Sequence, residues 1–283
     1  MNQCLSVAVL VFAAVLTGCS TDKKADAAQP AKAREGSVPP RPAVVSAPSG
    51  AYRPMTVTGG SRLTGSIDFD GPIPADSVIT LPPDLLGCGP SVKTRTVERT
   101  GNRIGGAIVW LTDIRAGKPL PAQRRFEIAN EDCLLTPQVQ AVVAPGTLNI
   151  GSEDAALHRN RIVNVGTGEL EGIAPFNDNG EVVPFDRVLD KTKQLEITCE
   201  LHPWSRAWIL VFDHPYFATS EKPGTFAIDD IPPGTYHVKA WHPQLGVAEQ
   251  TLTIAGGQPA SLALKLGAPI AAPSVTPVDS AGR

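Results

Sequence analysis

Apolar residues recur along this chain with a period of two rather than 3.6. Segments 62–69, 107–112, 125–129, 139–143, 147–150, 161–165, 195–198, 208–212, 224–228, 236–241, 247–254 and 261–266 alternate apolar and polar positions or are rich in β-branched residues. Such segments pack well on a pleated, half-buried surface and predict strands. Between them stand turn signals such as Asp70-Gly71-Pro72, Pro145-Gly146, Asn179-Gly180 and Pro232-Pro233-Gly234, in which glycine supplies positive φ and proline presets it. No window of about 11 residues carries apolar groups at helical spacing without a Gly or Pro interrupting it, so no helix is predicted. The pattern is that of an all-β chain forming one sandwich or two.

The ends break this pattern. Residues 5–16 are an apolar run followed by Leu16-Thr17-Gly18-Cys19. A run that short cannot cross about 30 Å of hydrocarbon and has the length of a cleaved signal. The Gly-Cys junction behind it has the form of a bacterial lipobox, although Met1-Asn2-Gln3-Cys4 lacks the usual Lys or Arg. The expectation is a signal peptide over 1–18 and a lipid on Cys19 that anchors the chain to the membrane at the periplasmic face of the envelope. Ser20, standing where Asp would retain the protein at the inner membrane, points to the outer membrane. An ordinary secreted protein with an incidental Cys19 is the alternative. Residues 19–57 and 268–283 are rich in Ala, Pro and Ser with no periodic apolar pattern, which predicts a disordered tether and a tail. The stretch between is long enough for one large or two small domains. Net charge is only −3, and no Lys/Arg cluster is interleaved with aromatics, so nucleic acid is not an expected partner.

Of five cysteines, Cys4 leaves with the signal and Cys19 carries lipid. Cys88, Cys133 and Cys199 remain, an odd number for an oxidising compartment. Cys199 is set apart by a histidine three residues on. A Cys88–Cys133 disulfide is therefore expected, with two buried free cysteines as the open alternative.

Chemistry concentrates in Thr198-Cys199-Glu200-Leu201-His202-Pro203-Trp204, directly after a predicted strand. Upstream, the polar turn Ser152-Glu153-Asp154 precedes His158. One thiolate and two imidazoles suit copper in both oxidation states, and a trigonal set with a weak axial group gives an electron-transfer site. Zinc fits the same donors. Two residues between Cys199 and His202 let both reach one ion from a tight loop, Pro203 stiffens that loop, and Trp204 is expected to pack beside the site and exclude water. A degenerate site that keeps the fold and has lost the metal is the bland counterpart. A Cys-His dyad can also generate a thiolate nucleophile, but such dyads draw on separate segments with an orienting third residue. None is evident, so no enzymatic activity is expected. His214-Pro215-Tyr216-Phe217 and Trp241-His242-Pro243 follow strands and are expected as turn residues, a second site near the ligand loop being the other reading. His237 alternates with Val238 and should face solvent.

Two families are resembled. Residues 125–212, with F-E-I, L-L-T-P-Q-V, V-V-A-P-G-T-L-N-I, Leu157-His158 and the Cys199-x-x-His202-Pro203 loop, are similar to a cupredoxin of the amicyanin and plastocyanin kind. The resemblance implies a Greek-key sandwich with copper held by His158, Cys199 and His202. The family's axial Met falls two residues beyond the loop proline, where this chain has Ser205. Copper would then be three-coordinate or take a backbone carbonyl or another side chain, with Trp204 and Ser205 as the axial or neighbouring candidates, and Met55 lies too far off in the tether to substitute. Nearer the C-terminus, Gly224-Thr225-Phe226-Ala227-Ile228 followed by Pro232-Pro233-Gly234-Thr235-Tyr236 resembles the carboxypeptidase regulatory-like, transthyretin-like sandwich. Residues 63–67 and 107–111 look like its opening strands. The implied organisation is an all-β chain in which 58–118 and 216–267 build the regulatory-like sandwich around a cupredoxin-like domain at 119–215, with a single merged sandwich as the alternative. The whole resembles bacterial exported proteins labelled methylamine-utilisation-like. It implies a copper protein for electron transfer or copper handling with a redox protein as partner; a metal-free extracytoplasmic binding or scaffold module is the competing expectation.

Overall fold

In the computed structural model, residues 51–81, 87–94, 97–221 and 224–267 are described. The expected signal peptide at 1–18, the lipid on Cys19, the tail at 268–283 and most of the tether fall outside them. Among the described residues every regular element is a strand.

The strands form two sandwiches, each with its own apolar core. In the central one, a sheet ordered Leu134–Thr136, Arg125–Glu131, Gly146–Ser152, Val182–Leu189 lies against a sheet ordered Val139–Val143, Arg206–Phe212, Lys193–Cys199, His158–Asn164, Leu170–Phe176. Each sheet mixes one parallel pairing, Gly146–Ser152 with Arg125–Glu131 and Val139–Val143 with Arg206–Phe212, with antiparallel ones. Ile128, Leu148 and Ile150 from the first sheet meet Ile162, Ile197 and Ile209 from the second, the inward positions of a period-two pattern.

The outer sandwich pairs a sheet ordered Phe217–Thr219, Ile108–Leu111, Gly234–His242, Gly246–Ile254 with one in which Thr225–Ile231 and Ala260–Leu266 flank Ser61–Phe69. Leu63, Ile67, Leu111, Phe226, Val238 and Leu264 fill its core. Gly65 sits where a Cβ would meet the Leu262 carbonyl oxygen and, at 2.5 Å, the Phe226 ring. Its lack of a side chain is what lets Phe226 lie flat on the strand.

One strand serves both halves. Along Arg206–Phe212, Ala207, Ile209 and Val211 point into the central core, while Trp208, Leu210 and Phe212 join Ile108, Trp110 and Trp241 of the outer sandwich. A strand covered on both faces has no polar face, which is why this stretch of sequence is an unbroken apolar run.

Three features depart from the sequence reading. The tether does not extend unstructured to 57: Tyr52 packs on the outer core and its hydroxyl donates to the Lys118 carbonyl at 2.6 Å, and Arg53–Pro54 pairs in parallel with Ala116–Gly117. An aromatic ring with apolar surface to cover draws the chain in. Strands Leu170–Phe176 and Val182–Leu189 were not anticipated. Nor was the hairpin Ser77–Thr80 with Ser91–Thr94, whose Val92, with Leu81 beside it, packs on Cys133 and Ala156 of the central half.

Candidate metal centre

His158 opens the strand His158–Asn164 and Cys199 closes the neighbouring strand Lys193–Cys199. Their register pairs Asn160 with Cys199. His158, Asn160 and Ile162 share the buried face, so His158 is the diagonal neighbour of Cys199 on the core side. The loop that follows turns back at once: Ser205 N–H donates to the His202 carbonyl at 2.8 Å and Cys199 N–H to the Ser205 carbonyl at 3.2 Å. Leu135 N–H donates to Ser205 Oγ at 2.9 Å, pinning the loop to the opposite sheet. Ser205 is thus a loop anchor.

These elements bring the three candidate ligands together. Cys199 Sγ lies 3.7 Å from His158 Nδ1 and 3.5 Å from His202 Nδ1, and the two Nδ1 atoms are 3.1 Å apart. All three residues are buried, at 1 to 2 % exposure.

The outward nitrogens decide what the inward ones can do. His158 Nε2 is 3.0 Å from Asp154 Oδ2, an acceptor that also takes the Cys133 N–H at 2.9 Å. A carboxylate can only accept, so Nε2 carries the proton and Nδ1 is a bare lone pair. His202 Nε2 lies 3.3 Å from Cys88 Sγ, and that sulfur is bonded to Cys133. Having no proton, that sulfur can accept from Nε2, while the bare His158 Nδ1 can accept from His202 Nδ1 at 3.1 Å, so the metal-free ring has a partner in either tautomer. In the Nε2–H tautomer of both rings, two lone pairs 3.1 Å apart repel unless a cation stands between them. A proton is disfavoured in that role, because burial lowers the His158 pKa and lowers that of His202 to about 4, the neighbouring His158 adding to the second effect. A metal ion is not. Donors bonded at about 2.0 Å for nitrogen and 2.3 Å for sulfur stand roughly 3.5 Å apart around a trigonal ion, and the observed spacings of 3.1 to 3.7 Å bracket that value. The donor set therefore fits an ion that takes imidazole and thiolate together.

The surroundings exclude water. The Trp204 ring stands 5.2 Å from the His202 ring, and its Nε1–H donates to the Cys133 carbonyl at 3.1 Å. Cys88 and Cys133 form a disulfide with Cα atoms 5.6 Å apart, and it covers the face of His202 away from Cys199. Asn160 Nδ2 donates to Asn130 Oδ1 at 3.1 Å, tying the two sheets beneath the site. Outside, Glu200 pairs with Arg159 and Arg161 at 2.7 and 3.3 Å.

Sequence reasoning treated Asp154 as part of a polar turn and missed its role. Its signal was its place four residues before a candidate ligand, the same reach by which its oxygen meets the ring. The contact of Cys88 with His202 spans 114 residues and had no local signal. The other histidines do not join the cluster. His214 Nδ1 accepts the Tyr216 N–H at 3.1 Å and His242 Nδ1 accepts the Gln244 N–H at 3.2 Å. Each caps its own His-Pro turn, and burial lowers their pKa values to about 4 and about 3. His237 is exposed beside Glu249 at 3.3 Å.

Comparison with known proteins gives local likenesses. Residues 203–262 match the family model for domain II of polysaccharide lyase family 4. No curated protein matches the chain. Among solved structures, it is similar to a copper-containing nitrite reductase from Thermus scotoductus at 20% identity, with a TM-score of 0.28 over 36% of this chain and 24% of that one. It is similar to an amicyanin variant in its Cu(I) form at 14% identity, TM-score 0.25, over 32% of this chain and 85% of the amicyanin. The purple cupredoxin from Nitrosopumilus maritimus gives 15% identity and a TM-score of 0.25, over 30% and 98% of the two chains. This chain spans about a quarter of the nitrite reductase.

Proposed function

We propose that this chain is an exported, lipid-anchored protein whose central sandwich is cupredoxin-like and holds one copper ion at His158, Cys199 and His202, for electron transfer or copper handling. The observation that carries the reading is the pair of imidazoles whose Nε2 atoms each face outward, one to Asp154 and one to the Cys88 sulfur, so that both Nδ1 atoms face the Cys199 sulfur.

Bound copper supplies one-electron exchange between Cu(I) and Cu(II). The residues do the rest. Asp154 and Cys88 orient the rings before the ion arrives, an arrangement that reduces the reorganisation demanded on binding. Pro203 and the two backbone bonds that close the loop hold His202 over Cys199. Trp204 and the disulfide keep water from the His202 edge. Ser205 Oγ accepts from the Leu135 N–H, so Ser205 would serve the loop while His158, Cys199 and His202 would hold the ion. The lipid anchor on Cys19, outer-membrane placement and a redox protein as partner belong to the same proposal and rest on the sequence pattern.

The test is addition of Cu(II) to the purified chain, with visible absorption and electron paramagnetic resonance as readouts. The wild type should develop a thiolate-to-copper band and a matching resonance, and Cys199→Ser should develop neither. Identical spectra from the two proteins would dismiss the site. Adding excess Zn(II) first should suppress the band, because zinc accepts the same donors.

A further inference from the structure

His202 presents a nitrogen to each of two donor groups. Nδ1 faces His158 and Cys199, at 3.1 and 3.5 Å. On the opposite side of the ring, Nε2 is 3.3 Å from Cys88 Sγ. Cys88 Sγ, Cys133 Sγ and a His202 ring nitrogen all lie within 4.8 Å of one another, as the three ligands of the first site do. The second group is a cysteine pair and an imidazole already gathered at a single point, but with its sulfurs joined. Joined sulfurs are poor ligands; separated thiolates are strong ones for soft ions.

We propose that reduction of the Cys88–Cys133 disulfide turns this group into a second soft-metal site, of Cys-Cys-His composition and able to take Cu(I), with His202 shared between the two ions. This rests on the copper reading of the first site for the sharing of His202, but not for the existence of the second site.

The chemistry balances with a dithiol as reductant. Its thiolate attacks one sulfur of the pair, the Cys88–Cys133 bond breaks, and closure of the reductant to its own disulfide supplies two electrons and two protons. Cys88 and Cys133 become free thiols. Capture of Cu(I) then forms two Sγ–Cu bonds and one Nε2–Cu bond, and both thiol protons and the Nε2 proton pass to solvent. His202 is left bonded through both nitrogens as an imidazolate.

The framework suits this step. Cys133 is fully buried and its N–H is held by the Asp154 carboxylate, so it stays in place when the bond is cut. Cys88 is half-exposed, which gives a reductant access. Val92 and Leu81 of the Cys88 hairpin pack on Cys133 and Ala156, and the position a Gly87 Cβ would take lies 2.8 Å from the Ala156 Cβ. The hairpin is therefore held against the site by packing as well as by sulfur. A second ion beside the first gives a route by which a copper donor could load the chain, or a redox change could release it.

The experiment measures Cu(I) per chain by competition with bicinchoninate, under anaerobic conditions. Intact protein is compared with protein treated with a dithiol and desalted. Intact protein should take one ion and reduced protein two, and Cys88 and Cys133 should resist alkylation, read by mass spectrometry, only when the second ion is present. A Cys88→Ser/Cys133→Ser chain should take one ion under either condition, and Cys199→Ser should still gain one on reduction. Circular dichroism of the reduced wild type verifies its fold without any substitution. A reduced wild type that takes no more copper than the intact protein, or whose two thiols alkylate freely with Cu(I) present, overturns the proposal. Should the intact protein take none and the reduced protein one, the first site fails while the second stands.

Discussion

Asp154→Ala is the most revealing single substitution, because one carboxylate oxygen links the first histidine to the disulfide. Oδ2 accepts from His158 Nε2 at 3.0 Å and from Cys133 N at 2.9 Å. Both donors share that one oxygen, so removing the carboxylate takes both bonds at once, where an amide could keep both by turning its oxygen toward them. Without that acceptor nothing holds the proton on His158 Nε2, and the ring is free to place it on Nδ1, inside the site where the lone pair is needed. Loss of such an outer partner weakens metal binding by roughly 10- to 100-fold, or about 1.4 to 2.7 kcal/mol. The metal-free protein should lose about 2 kcal/mol, the usual net value of two hydrogen bonds. Chelator competition with Cu(II) measures the first effect and guanidinium denaturation of the apoprotein the second. Affinity within twofold of wild type would refute the tautomer argument, whatever happened to stability.

Acid should destabilise the metal-free protein through its buried imidazoles. Burial lowers the folded-state pKa of His202 and His214 to about 4 and of His242 to about 3, below an unfolded value near 6.5. The unfolded chain therefore binds these protons first. The stability is complete above about pH 6.5 and drains away as pH falls toward the folded values, by about 2 kcal/mol per imidazole at pH 5. Asp213, raised by its own burial, runs the other way and offsets part of this. Equal denaturant midpoints at pH 7.5 and pH 5 would contradict the account. Separately, Gly65→Ala should cost at least about 1 to 3 kcal/mol, because its Cβ meets the Leu262 backbone carbonyl as well as the Phe226 ring and both must shift; a thermal melt unchanged from wild type would refute this close packing.

How much of this was legible in the chain depended on sequence distance. The Cys199 and His202 spacing was readable because both belong to one loop, whereas His158 became readable only through resemblance to a family. Asp154 sits near His158 in sequence, yet nothing local distinguishes a turn carboxylate from an orienting one. Period-two alternation exposed the inner strands, where burial is strict. Leu170–Phe176 and Val182–Leu189 escaped because they are the outermost strands of their sheets, where Pro175 and Pro184 are tolerated and polar residues dilute the pattern. The hairpin that carries Cys88 is short and largely exposed, so its sequence resembles a loop. Tyr52 was misjudged because a single aromatic in an Ala/Pro-rich stretch gives no period.

The doubly covered strand Arg206–Phe212 has a consequence for how this protein can be taken apart. Cutting away the outer strands would turn Trp208, Leu210 and Phe212 toward water, and an aromatic residue alone covers roughly 150 to 250 Å². Such an area on one flat β-surface is enough to make a fragment self-associate. The central half that carries the candidate site is therefore not a detachable cassette, and excising it should give insoluble material even with His158, Cys199 and His202 retained.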